Sequence, residues 1–92
     1  MIKYVVEFIG TFIFLSVILA TAGKSVLAPL LIGLALTSAI AFGGDISGGH
    51  FNPAVSAMMA LNKSLPMADL LPYVIVQLLG GAAAQYFSAL IR

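Results

Sequence analysis

The 92 residues are 62% hydrophobic and only 8% charged, with a mean hydropathy of +1.17, whereas a soluble domain is roughly 25% charged. Four cations against three acids give a net charge of +1, which leaves no basic patch for nucleic acid. With no cysteine, one histidine and scattered acids, the chain offers no disulfide framework and no metal-ligand set. It is expected to be a membrane protein with no cofactor and no catalytic residue, and so not an enzyme.

A bilayer core about 30 Å thick needs about 20 apolar residues in helical form. The first stretch of that kind is 4–22. It is longer than the apolar run of a signal peptide and two more follow it, so it is expected to remain in the mature chain. Gly23, Lys24 and Ser25 then make a tight break that suits a helical hairpin. The second span is 26–44, with Pro29 in its first turn, where a missing N–H does little harm. The third is 68–91. Pro66 and Pro72 bracket its start, and Asp69 is favourable near a helix N-terminus.

Between the last two spans lies "GGDISGGHFNPAVSAMMALNKSLPM", glycine-rich and polar where it begins and apolar where it ends. Asn52 followed by Pro53 predicts a helix start, since asparagine caps free N–H groups and proline is preorganised for the first helical position. A helix from there to Leu61 rises only about 13 Å, half of a bilayer core. Residues 45–61 are therefore expected to dip into the membrane and return. Irregular backbone survives at that depth only where protein buries it or where it lines a watery cavity. Gly43, Gly44, Gly48 and Gly49 would let the chain pack closely and turn carbonyls outward. Asn52 would act as a donor at the positive end of the short helix, a field that opposes cations and protons. The fold class is all-α, with three transmembrane helices and one re-entrant half-helix. The expected function is passage of neutral, hydrogen-bonding solutes.

At these residues the sequence resembles the aquaporin, or major intrinsic protein, family. "SGGHFNPAV" at 47–55 is similar to the signature around the family's first Asn-Pro-Ala box, here Asn52, Pro53 and Ala54. "EFIGTF" at 7–12 resembles the family's first helix and "YVIVQLLGGAAA" at 73–84 its third, in the expected order and spacing. The resemblance spans essentially the whole chain but only the first of two repeats, so the 92 residues are either a half-length chain ending at the expected repeat boundary or one half of a longer product. It implies that Asn52 donates to the permeating molecule while carbonyls of Gly48, Gly49, His50 and Phe51 form a ladder below it. Glu7 and Gln77 fall where the family uses buried polar groups to scaffold re-entrant backbone. A carboxylate snorkelling to the membrane edge is the other reading of Glu7, and a general interhelical hydrogen bond that of Gln77. His50 is expected to line a vestibule, against the alternative of a histidine packed in a loop.

Met58, Met59 and Met67 read as apolar filler. Gly33, Gly80 and Gly81 are expected at close helix contacts. Asp45 has no assigned role. Counting back from the box puts Ile32 at the family's selectivity-filter position, where an aromatic or histidine is usual, and Val55 follows the box where the second box carries the filter arginine. Both departures point to a less selective pore, open to water, glycerol or another small neutral solute.

One repeat cannot close a pore, because lipid would reach the re-entrant backbone. The expected partners are membrane lipid and either inverted copies in a homo-oligomer or a separate second-half protein, and the family resemblance adds a tetramer of pores. Lys3 and Lys63 would face one side, Lys24 and Arg92 the other, so orientation bias is weak. The alternative function is a non-conducting assembly protein that keeps only the packing motifs.

Overall fold

A computed structural model describes residues 1–92. Four helices follow one another: α1 Ile2–Thr21, α2 Ala28–Ser47, α3 Pro53–Leu61 and α4 Met67–Ile91. Three of them, α1, α2 and α4, are long and apolar enough to cross a membrane. The nine residues of α3 are not.

The α1–α2 connection is built from local hydrogen bonds. Gly23 takes a left-handed φ of 72°, Lys24 N–H donates to the Thr21 carbonyl, and Lys24 Nζ reaches back to the Leu19 carbonyl at the end of α1. Ser25 Oγ then accepts the Leu27 N–H. This turn holds residues 26 and 27 outside the helix, so α2 begins at Ala28, with Pro29 in its first turn.

The far end of α2 differs more from expectation. Gly43 and Gly44 do not turn out of the helix but stay within it, and α2 runs on to Ser47 before Gly48, at φ 91°, ends it in a left-handed cap. Packing explains Gly43: a Cβ there would overlap the Val6 side chain of α1. Asp45 therefore sits on an exposed turn of α2. Pro72 also lies inside a helix, since α4 starts at Met67 with Pro66 as its cap. Its ring deprives the Ala68 carbonyl of an N–H partner, and the helix continues regardless.

Helix α1 is the spine, with α2 and α4 packed on it, while α3 packs on α4 and the end of α2 meets α4 only through the Tyr73 side chain. Gly80 lets α4 approach within van der Waals contact of α1 backbone: a Cβ there would lie 2.8 Å from the Phe8 carbonyl oxygen. Gly81 sits against Leu15. Gly33 has no such neighbour; it is exposed and faces open space, so within this chain it makes no helix contact.

The interior is small and unusually polar. Tyr73, Phe51, Gln77, Glu7, Thr11 and Ser56 are the large fully buried side chains, while leucines and isoleucines along all three long helices lie on the outside. That inversion is what lipid solvation permits, since apolar side chains gain nothing by leaving a hydrocarbon. At one edge, Lys3 Nζ and Tyr4 OH each reach an oxygen of Asp69 at 2.8 Å. The starts of α1 and α4 are thereby joined, and the two helices run parallel.

Candidate functional site

The chain between α2 and α3 folds back into the protein through three left-handed residues: Gly48 at φ 91°, Gly49 at φ 66° and Phe51 at φ 55°. Glycine adopts this conformation freely, but at Phe51 it costs about 1–2 kcal/mol. Two contacts hold Phe51 there. Its ring is buried against Gly10, where any Cβ would overlap it, and its N–H donates to Glu7 Oε1 at 2.7 Å.

Glu7 is fully buried and accepts four hydrogen bonds. Ser47 Oγ (2.7 Å) and the His50 N–H (3.0 Å) donate to Oε2. The Phe51 N–H and Gln77 Nε2 (2.9 Å) donate to Oε1. Four donors fill the lone-pair sites of one carboxylate. The Gly49 N–H is taken by Ser47 Oγ at 3.2 Å, and the Ser47 carbonyl accepts from Tyr73 OH at 2.7 Å.

This wiring is one-sided. The N–H groups of Gly49, His50 and Phe51 all turn inward, whereas the carbonyls of Gly48, Gly49, His50 and Phe51 accept nothing from within the chain. Next to them, Asn52 caps α3 with φ −162°, its Oδ1 accepting the Ala54 N–H at 2.8 Å. Its Nδ2 makes no hydrogen bond in the chain, and the residue is exposed. A run of free acceptors thus meets a free donor at the positive end of a half-helix. Such a surface can exchange hydrogen bonds with a neutral polar molecule.

Glu7 and Gln77 come together beneath the loop, joined by the bond from Gln77 Nε2 to Glu7 Oε1, and Glu7 is buried rather than extended to an edge. His50 and Phe51 contribute to the loop in different ways. The His50 side chain is only 8% exposed, its Nδ1 2.9 Å from Ser56 Oγ and its ring 5.3 Å from that of Tyr73, so most of the ring is packed in the loop and only a small part of it is uncovered. The Phe51 side chain is core, and only its backbone belongs to the free-carbonyl run. Ile32 and Val55 are half-buried and flank no closed constriction within this chain.

Ser47, Ser56, Tyr73 and Gly10 are parts of the site that the sequence reading did not assign. A signal existed for two of them. Gly10 lies one helical turn from Glu7 and Tyr73 one turn from Gln77, so each shares a face with a polar residue inside a span.

The fold and site define an integral membrane helix bundle that carries re-entrant backbone on a buried carboxylate. A family model described as Major intrinsic protein matches residues 3–91, and the chain belongs to that family. It is 46% identical over 87 residues to Glycerol uptake facilitator protein-like 6 of Lactiplantibacillus plantarum, a match covering 89% of this chain and 40% of the relative. It is 47% identical over 83 residues to Aquaporin-8 of Rattus norvegicus, covering 84% and 32% respectively. Aquaporin NIP3-1 of Arabidopsis thaliana is 40% identical over 91 residues, covering 89% and 28%. The chain therefore spans less than half the length of these curated relatives. No solved structure gives a significant match.

Proposed function

We propose that this chain forms one half of a passive channel for water or small uncharged solutes. The other half is an inverted copy of the chain or a separate second-half protein. The observation that carries this reading is the run of four carbonyls, Gly48 to Phe51, left without intrachain partners beside the unpartnered Nδ2 of Asn52. Unpaired polar backbone at membrane depth costs several kcal/mol per group unless a polar occupant meets it. Water or a hydroxyl supplies the missing donors to the carbonyls and the missing acceptor to Asn52. A cation is opposed by the positive end of α3. Ile32 and Val55 add neither an aromatic ring nor a cation, so the reading extends to solutes the size of glycerol. The names of the relatives, which include both aquaporins and a glycerol uptake facilitator protein, support the same range.

The test is osmotic shrinkage of vesicles holding the 92-residue chain, alone and together with the remaining part of Glycerol uptake facilitator protein-like 6. Solute flux above the lipid background is expected in at least one preparation, and Asn52→Asp should change it by placing a charge where the donor stands. Background flux in both, from folded protein, overturns the proposal and leaves a non-conducting assembly role.

A further inference from the structure

His50 is the only histidine in the chain, and its hydrogen-bond partners determine which ring nitrogen carries the proton. The hydrogen-bond chain that reaches it begins at Glu7. Its two oxygens already receive two backbone N–H groups and a hydroxyl, so the Gln77 amide must meet it with nitrogen, because oxygen there would face a carboxylate. The second hydrogen of Gln77 Nε2 then points at Ser56 Oγ, 2.8 Å away. Gln77 Oε1 is left buried without a partner, which marks the amide as oriented by its nitrogen. Ser56 Oγ, having accepted from Gln77, has one proton to give. The acceptor within reach is His50 Nδ1 at 2.9 Å. Nδ1 is therefore bare, and the ring proton is on Nε2.

We infer that Glu7, acting through Gln77 and Ser56 as positioning residues, holds His50 as the Nε2–H tautomer, so that the ring offers a hydrogen-bond donor beside Gly48. Nε2 makes no hydrogen bond within the chain and is not among the fully buried unpaired atoms, so the small exposed part of the ring includes it. A Cβ on Gly48 would stand 3.0 Å from Nε2, so glycine keeps that nitrogen uncovered. The ligand it fits is an oxygen lone pair, as on water or an alcohol. The tautomer follows from the hydrogen-bond chain alone; its use on a passing solute rests on the channel reading above.

A single histidine makes the test clean. The full chain, labelled with 15N- and 13C-histidine and reconstituted in lipid, gives one pair of imidazole nitrogens by magic-angle-spinning NMR. The expected spectrum has its protonated nitrogen at Nε2, and its bare Nδ1 is displaced from the free imine position by the Ser56 hydroxyl. In Ser56→Ala, Nδ1 should move to the free imine position or take the proton. Ser56→Thr, which keeps the hydroxyl, should restore the original spectrum. A proton on Nδ1 in the unmodified chain overturns the inference without need of any variant. A spectrum unchanged by Ser56→Ala also overturns it, by removing Ser56 from the relay. An Nε2–H ring that responds to Ser56→Ala, in vesicles that pass no solute, upholds the tautomer and counts against the channel instead.

Discussion

At the scale of the residue, the site depends on one carboxylate having the right number of lone pairs. Glu7→Gln keeps the shape but replaces an acceptor oxygen with an NH2 group. The amide has a preferred way to sit. If its nitrogen takes the place of Oε2, Ser47 Oγ can turn to the Gly43 carbonyl, already 3.4 Å away, but the His50 N–H is left facing another donor. The opposite placement sacrifices both the Phe51 N–H and the contact with Gln77. One buried backbone N–H is thus orphaned at best, at a cost of about 1–3 kcal/mol. Glu7→Gln should lower the unfolding free energy in detergent by that amount, and exchange of the His50 or Phe51 amide with deuterium should accelerate. A variant as stable as the parent, with both amides still protected, would show that the loop stands without its carboxylate.

At the scale of the element, the half-helix α3 is closed at both ends by its own sequence. Asn52 and Pro53 start it, and at its end the Lys63 N–H donates to the Ala60 carbonyl and the Ser64 N–H to the Met59 carbonyl, the paired bonds of a Schellman motif. The left-handed position of that motif is held by Lys63 at φ 68°, where glycine is the usual residue. Lys63→Gly is therefore expected to stabilise the chain by about 0.5–1 kcal/mol, less what glycine adds to the entropy of the unfolded state. A rise in the melting temperature in detergent checks it; a fall would mean that the lysine side chain contributes more than its backbone costs. The start of α3 was legible from two letters because capping is local chemistry. The end of α2 was not, because Gly43 looks like a loop residue until Val6 of another helix is brought against it. For the same reason Glu7 and Gln77 could be singled out as polar residues within spans, while Ser47 and Ser56 could not. A serine has too many uses to assign before its partner 21 or 40 residues away is known.

At the scale of the molecule, what matters is which surfaces the chain leaves uncovered. Helix α2 packs along α1 alone and meets α4 only where Tyr73 OH donates to the Ser47 carbonyl, and the free carbonyls and Asn52 Nδ2 have no partner from any element of the chain. Lipid cannot satisfy them, which is why the proposed channel includes a second repeat. In folds of inverted repeats that second unit is turned over in the membrane, and a copy of this chain can fill the place only if the chain inserts both ways. Its cations allow that. Lys3 is tied to Asp69 at one edge, where Lys63 also lies just ahead of α4, while Lys24 and Arg92 close the opposite ends of α1 and α4. Two cations at each edge give the positive-inside rule little to act on. Val26, 95% exposed in the α1–α2 turn of a chain without cysteine, is the place to measure it. In intact cells an impermeant thiol reagent should label about half of Val26→Cys, and the remainder only after lysis. Adding Ala22→Lys and Leu27→Lys should hold this turn on the cytoplasmic side, take labelling of intact cells to background, and remove whatever flux pairs of inverted copies supply. If the chain without added lysines is instead labelled completely or not at all, it has one orientation and cannot pair with an inverted copy of itself.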